Sequence, residues 1–195
     1  MSAKTTNVLL VGVGGQGVLL ASDILSQVAM EAGHDAKKSE VHGMAQRGGV
    51  VSSHVRFGER VWSPIIPEGG ADVLLAFEEA EALRAMHLVA PDGAAVVNMQ
   101  RIIPPIAAGK DWDYPEDPLA DVRARIPGMV AVAARDECKA LGNEKMVSVL
   151  LLGALSASLD FGEDLWRKVI LARVPKGTGD LNWKAFQRGR ELAAS

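Results

Sequence analysis

Residues 7–17, NVLLVGVGGQG, constrain the fold more than any other stretch of this 195-residue chain. Apolar or small residues run from Val8 to Gly12. The chain then turns through Gly14, Gly15 and Gly17, and helical spacing begins at Val18. A strand that turns through glycine into a helix leaves backbone N–H groups unpaired at the helix start. With the helix dipole behind them, those groups attract phosphate or carboxylate. Gly12, Gly14 and Gly17 also fit GxGxxG, the dinucleotide fingerprint. A tight corner that needs small residues only for packing satisfies the same pattern. A nicotinamide enzyme would add an acid at the end of the second strand to hold the ribose. Asp35 and Glu40 bracket that position with Lys37 and Lys38 between them, so the spacing leaves a dinucleotide open. Gln16 places a polar side chain inside the turn.

The rest of the chain continues the alternation. Leu20, Ile24, Leu25, Val28 and Ala29 share one helical face across residues 18–32, and Gly33 is a stop signal. Residues 34–41 read as a second strand, polar enough for a sheet edge or for cover by another subunit. Residues 51–57 alternate, with Val51, Val55 and Phe57 on one side and Ser52, His54 and Arg56 on the other. Gly58-Glu59 turns, and residues 60–63 are expected to pair back as a hairpin. Residues 73–77 form a buried strand and 78–89 a helix. Pro91-Asp92-Gly93 is a turn, and 94–98 is the next strand. Four prolines between residues 101 and 119 predict an extended loop. A short helix over 119–126, a strand over 129–134 and helices over 143–159, 164–174 and 180–194 complete the pattern. The expected fold is α/β: a three-layer α/β/α arrangement around a mostly parallel, Rossmann-like sheet with an antiparallel hairpin insertion, in one domain spanning residues 1–195.

Composition narrows the function. A net charge of −3 with 48% hydrophobic and 23% charged residues gives a globular chain without the basic field that nucleic acid requires. The single cysteine, Cys138, excludes an internal disulfide and any iron–sulfur cluster or multi-cysteine zinc site made by this chain alone. No apolar stretch reaches the roughly 20 residues of a membrane-spanning helix. The initial apolar run serves better as a first strand than as a signal peptide, which makes the expected location cytoplasmic.

Three places could carry chemistry. The glycine turn, Gly12, Gly14, Gly15, Gln16 and Gly17, is the first. The second is residues 42–49, HGMAQRGG. There Arg47 can grip an anion through two parallel hydrogen bonds and His42 can titrate near neutrality. Glycine-rich polar loops at strand ends are where binding residues concentrate, although composition alone makes this a solvated connection. The third is Glu78, opening a helix at a strand end, with Asn98 at the end of another strand. Good helix capping by Glu78, Glu79 and Glu81 would explain the first of these without any ligand. His34, His54 and His87 lack metal-ligand spacing, and Cys138 has no neighbouring histidine. There is no serine–histidine–acid order, P-loop or metal motif.

Together GVGGQGV at 12–18, SEVHGMAQRGGVVSSHVR at 39–56, SPIIPEGGADVLLAFEEAEALR at 63–84 and the Asn98 strand resemble the gamma-type subunit or domain of the 2-oxoacid:ferredoxin oxidoreductases. Within that family they are most similar to the small subunit of the indolepyruvate type. The ungapped HGMAQRGG is the most specific segment. The likeness extends through Gly142-Asn143 and the helix after it, and is weaker in the proline-rich loop and the last thirty or so residues.

The resemblance implies a pyruvate-ferredoxin oxidoreductase domain III-like fold and an enzyme that works only as a complex, inactive as an isolated chain. The complex oxidatively decarboxylates a 2-oxoacid to an acyl-CoA and passes electrons to ferredoxin. A large partner subunit would hold thiamine diphosphate, magnesium and the iron–sulfur clusters; CoA would be the cosubstrate and ferredoxin the electron partner. This chain would bind no cofactor alone, and could self-associate as a homodimer when isolated. The residues carried over are Gly14, Gly15, Gln16 and Gly17 of the turn and His42, Gly43, Met44, Gln46, Arg47, Gly48 and Gly49 of the loop. They would face substrate, cofactor or the partner, with Arg47 and His42 as catalytic candidates. The competing expectations are a free-standing NAD(P)-binding oxidoreductase and a non-catalytic stabilising subunit.

Overall fold

Alternating burial on the strands dictates a sheet covered on both faces. On β1 (Thr6–Val13) Val8 and Leu10 point into one core and Leu9 and Val11 into the other, and all four are buried. The computed structural model of the chain describes residues 5–42, 49–103 and 114–194. Its further strands are β2 (Asp35–His42), β3 (Val50–Gly58), β4 (Ala71–Ala76), β5 (Val89–Asn98) and β6 (Val130–Val132). The sheet order is β2-β3-β1-β4-β5-β6. β1, β4, β5 and β6 pair in parallel, and β3 is antiparallel to both β1 and β2.

One face carries α1 (Val18–Glu31), α4 (Ala134–Ala140), α5 (Val147–Ser156), α6 (Glu163–Arg173) and α7 (Gly179–Ala194), with Ile24, Leu25, Leu150, Trp166 and Phe186 at the centre of the larger core. The opposite face carries α2 (Glu79–Ala85) and α3 (Pro118–Arg125) through Ala82, Ala85, Val122 and Ile126. Each fully buried aliphatic side chain of this kind stabilises the fold by about 1.5–3 kcal/mol. The three-layer α/β/α expectation therefore holds.

Local expectations fare unevenly. Residues 60–63 form no strand; β3 pairs instead with β1 and β2, on opposite edges. The hairpin exists, but its arms are β2 and β3. The physical reason is β3's alternation: Val51, Val55 and Phe57 need the cover of α1, which only the sheet interior provides. The polar β2 is indeed an edge, where Lys38 pairs with Asp23 and Glu40. Pro91-Asp92-Gly93 does not end a strand. β5 runs through it as a bulge, its register on β4 shifting between Ala71 and Val73. Gly93 permits this because a Cβ there would lie 2.6 Å from Val89 Cγ1 and 2.9 Å from the Ala71 carbonyl. Helix α4 has no counterpart in the sequence pattern; its short ARDECKA sequence carries little periodicity, although Gly142, at φ 94°, marks its end. Cys138 on α4 is fully buried, and burial, with Glu137 adding to it, pushes its thiol up to about 12. It is an inert packing group.

Two features of the fold can be tested directly. α5 and α7 cross so closely that a Cβ on Gly189 would sit 1.9 Å from the Leu150 carbonyl oxygen. Gly189→Ala gains about 1 kcal/mol of helix propensity but must force the two helix backbones away from each other, which costs more. A net loss of about 2 kcal/mol is expected from urea unfolding, and an unchanged midpoint would refute the close crossing. The second feature is His54. Its Nδ1 accepts a hydrogen bond from the Ile66 N–H at 3.1 Å and so holds the crossing between β3 and β4. Burial, with Arg56 adding to it, lowers its pKa. A histidine depressed in the folded state contributes stability above its unfolded pKa of about 6.5, and loses it as pH falls through the folded value. Wild type should therefore weaken relative to His54→Asn between about pH 7.5 and 5; parallel unfolding curves would contradict the assignment.

Candidate functional site

The strand order reverses between β1 and β4. From β1 the chain passes through α1 on one face to reach β2 on one side. From β4 it passes through α2 on the other face to reach β5 on the opposite side. Open α/β sheets bind ligands in the crevice outside the carboxyl ends of strands at such a point. The glycine turn follows β1, and Phe77-Glu78 follows β4, so both lie at this crevice.

Gln16 closes its floor. Its Oε1 accepts from the Val13 N–H at 2.7 Å, and its Nε2 donates to the Phe77 carbonyl at 2.8 Å and to Gln100 Oε1 at 3.2 Å. Asn98, 1% exposed, donates through Nδ2 to the same Phe77 carbonyl at 3.0 Å and to Gln100 Oε1 at 3.1 Å, while its Oδ1 accepts from the Ala134 N–H at 3.2 Å. Three amide side chains thus join the ends of β1, β4 and β5 and the start of α4. Gly12 is required beneath them. A Cβ there would lie 2.8 Å from Gln16 Oε1 and 2.8 Å from the Phe77 Cβ. Gly15 and Gly17, at φ 99° and 88°, turn the chain through left-handed backbone into α1, whose N-terminus has no capping side chain.

Above this floor lies a cleft of about 600 Å³ lined by Gly14, Gly15, Gln16, Gly17, Leu20, Gln100, Ile102, Arg135, Glu144, Lys145, Val147 and Ser148. Arg135 is neutralised by Glu144 at 2.9 Å, which leaves Lys145 as the cation of the cleft without a salt bridge among the described residues. The uncapped helix start and this ammonium give the cleft an affinity for anionic oxygen.

The β2–β3 connection arrives at the same end of the sheet. Gly14 N–H donates to the Gly49 carbonyl at 2.9 Å, and the backbone of His42 pairs opposite Val51 at the strand ends. The glycine turn and the last residue of HGMAQRGG are therefore in contact. Gly43, Met44, Gln46, Arg47 and Gly48 lie outside the described residues.

Glu78 belongs to a neighbouring network. Its carboxylate caps α2 by accepting from the Glu81 N–H at 2.9 Å, and also accepts from the Ile102 N–H at 3.0 Å and from the Tyr114 hydroxyl. Arg101 lies over the Tyr114 ring, donates to the Pro115 and Glu116 carbonyls at 2.7 Å, and sits 3.5 Å from the Glu79 carboxylate. Burial raises the pKa of Glu79, partly offset by Arg101, and likewise raises that of Glu81, which bonds Arg84. Burial and then the Glu78 carboxylate raise the Tyr114 phenol, so it remains an O–H donor. With all these partners internal, Glu78 is a structural clamp joining residues 101–102 to 114–116. Gln100, Tyr114, Lys145 and Ser148 carry no local signal in the sequence.

The dinucleotide reading loses support from this geometry. A ribose-binding acid must stand on the strand beside β1, and here antiparallel β3 intervenes, displacing β2 by about 5 Å. Asp35 opens β2 at the wrong end, where it accepts from the Val61 N–H and pairs with Lys37. Glu40 is engaged by Lys38.

Gln16→Leu removes three hydrogen bonds and orphans the Val13 N–H. A loss of about 2–3 kcal/mol in urea unfolding is expected. A variant as stable as wild type would return Gln16 to the role of a free ligand contact.

Comparison with known proteins agrees with this architecture. Residues 7–192 match the family described as pyruvate ferredoxin/flavodoxin oxidoreductase. Indolepyruvate oxidoreductase subunit IorB of Archaeoglobus fulgidus is 38% identical over 193 residues, covering 97% of this chain and 96% of that one. 2-Oxoglutarate synthase subunit KorC of Methanothermobacter thermautotrophicus is 29% identical over 191 residues, 93% and 91% of the two chains. The gamma subunit of a keto/oxoacid ferredoxin oxidoreductase from Geobacter sulfurreducens superposes with a TM-score of 0.72 at 25% identity, covering 97% of this chain and 98% of that one. The 2-oxoglutarate:ferredoxin oxidoreductase of Magnetococcus marinus shares the fold, with a TM-score of 0.75 at 18% identity; the match covers 98% of this chain and 31% of that longer one. This chain belongs to the pyruvate ferredoxin/flavodoxin oxidoreductase family.

Proposed function

We propose that this chain is the subunit without iron–sulfur clusters of a 2-oxoacid:ferredoxin oxidoreductase, with indolepyruvate or a related aryl pyruvate as the acid. The observation that carries the reading is the 38% identity, over nearly the whole of both chains, to an indolepyruvate oxidoreductase subunit. The complex converts the 2-oxoacid and CoA to CO2 and an acyl-CoA, and the two electrons released pass to ferredoxin. The partner subunit would hold thiamine diphosphate with its magnesium, which would supply the decarboxylation chemistry, and the clusters as well. In support, the lone thiol is sealed in the core, and among the described residues no three histidine, cysteine or acidic side chains gather as a metal site. No helix among the described residues is long and apolar enough to cross a membrane.

The role of this chain is to complete the partner's active site. The crevice at the carboxyl ends of β1 and β4 supplies Gly15 and Gly17 as amide donors, while the Gly14 N–H ties the turn to Gly49, the last residue of HGMAQRGG. Gln16 and Asn98 brace the glycine turn through the Phe77 carbonyl and Gln100. Arg47 is the anion contact from the loop, and His42 the group able to titrate there.

Co-purification with the thiamine- and cluster-bearing subunit tests the reading. The complex should reduce ferredoxin with indolepyruvate and CoA, and neither subunit alone should do so. Full turnover by the large subunit alone would reduce this chain to a stabiliser, and heat released on mixing the isolated chain with NAD(H) or NADP(H) would favour the dinucleotide reading. Arg47→Ala should leave assembly intact and raise a KM by about tenfold or more, as loss of a charged hydrogen bond does. An intact complex with unchanged kinetics would remove Arg47 from the ligand site.

A further inference from the structure

Gln100 lines the cleft with Gln16 and Ile102, and the network beneath fixes which way its amide faces. Gln16 must present Nε2 to it, because Gln16 Oε1 is taken by the Val13 N–H and Nε2 also donates to the Phe77 carbonyl. Asn98 must likewise present Nδ2, because its Oδ1 is taken by the Ala134 N–H and its Nδ2 serves the same Phe77 carbonyl. Both neighbours offer only N–H groups toward Gln100, at 3.2 and 3.1 Å. Its oxygen must face them, and its Nε2 group, with two hydrogens and no partner among the described residues, is left for the cleft.

We propose that Gln100 is a ligand-binding residue that presents a fixed pair of N–H donors to an oxygen acceptor of the molecule occupying this cleft. The inference rests on the reading that the crevice faces the reaction, and it deepens that reading by setting the polarity the ligand must have. A carbonyl, carboxylate or phosphate oxygen is accepted there. A group offering N–H is rejected, since Gln100 cannot rotate its oxygen outward without leaving Gln16 and Asn98 donor against donor. The two substrates of the proposed reaction, the 2-oxoacid and CoA, both carry such oxygens.

Gln100→Glu in the assembled complex is the test. The new carboxyl keeps one oxygen for Gln16 and Asn98 and turns the cleft-facing donor into an acceptor. Assembly and the urea midpoint should stay near wild type, while the KM of one substrate rises by about tenfold or more. Whichever KM rises identifies the ligand. The penalty should shrink as pH is lowered and the carboxyl regains an O–H donor, a response that a purely structural glutamine would not give. KM values for both substrates matching wild type would overturn the proposal. So would weakened assembly with unchanged KM, which would assign Gln100 to the subunit contact. If Gln100→Glu yields no folded chain, Gln100→Met, which carries no donor, must still raise a KM; an unchanged pair of values overturns the inference. A wild-type complex that shows no turnover defeats the functional reading and this inference together. Active wild type with indistinguishable variants defeats this inference alone.

Discussion

The carbonyl oxygen of Phe77 is the point on which the crevice depends. It directly follows β4 and receives two side-chain N–H groups, one from Gln16 after β1 and one from Asn98 at the end of β5. Strand ends in a parallel sheet leave backbone groups with no ladder partner, and a buried carbonyl without one costs on the order of 1–3 kcal/mol. Satisfying it from both neighbouring strands ties the three loops to one oxygen. The glycine turn, the start of α2 and the segment beyond β5 therefore hold their mutual positions without any ligand. Such preorganisation suits the proposed role of completing another subunit's site, because the loops need not be ordered again on assembly.

Charge is arranged around the same edge. Glu78, Glu79 and Glu81 are all buried, an arrangement that burial alone would make unfavourable. Each has its own compensation. Glu78 accepts three hydrogen bonds, Glu79 has Arg101 and Glu81 has Arg84. These carboxylates are candidates for chemistry by position, and their partners turn them inward as clamps. The positive side of the site is Lys145 with the uncapped start of α1, and none of the three carboxylates lines that cleft.

Much of this is legible in the residues. The glycine turn, the order of strands and helices, and the clustering of binding-prone segments at one sheet edge all follow from local pattern, because 3.6- and 2-residue periodicities report which faces must be buried. Asn98 and Glu78 stand out in the sequence for their places at strand ends, and both are there. The differences fall where a distant partner decides the outcome. Residues 60–63 look like a returning arm for β3, but β3 gains more by inserting between β1 and β2 beneath α1. Pro91-Asp92-Gly93 looks like a turn, but β4 holds the chain in the sheet and the extra residues bulge. Gln16 reads in the sequence only as a polar side chain inside the turn; the structure adds that it lines the cleft while its hydrogen bonds run to Val13, Phe77 and Gln100.

The sequence by itself determined the class of fold, the strand–glycine–helix corner and the kinship of the chain, since each resides in contiguous residues. Only the tertiary structure decided that β3 separates β1 from β2, which moves the ribose-acid position away from the turn. It alone decided that Gln16 and Asn98 face inward and that Gln100 shows its donors to the cleft. The reason is range: beside the local bonds from Gln16 to Val13 and from Asn98 to Gln100, the bonds that complete those orientations join residues 21 to 84 positions distant in the chain, and no local pattern encodes which of two identical-looking amides will be consumed by the other.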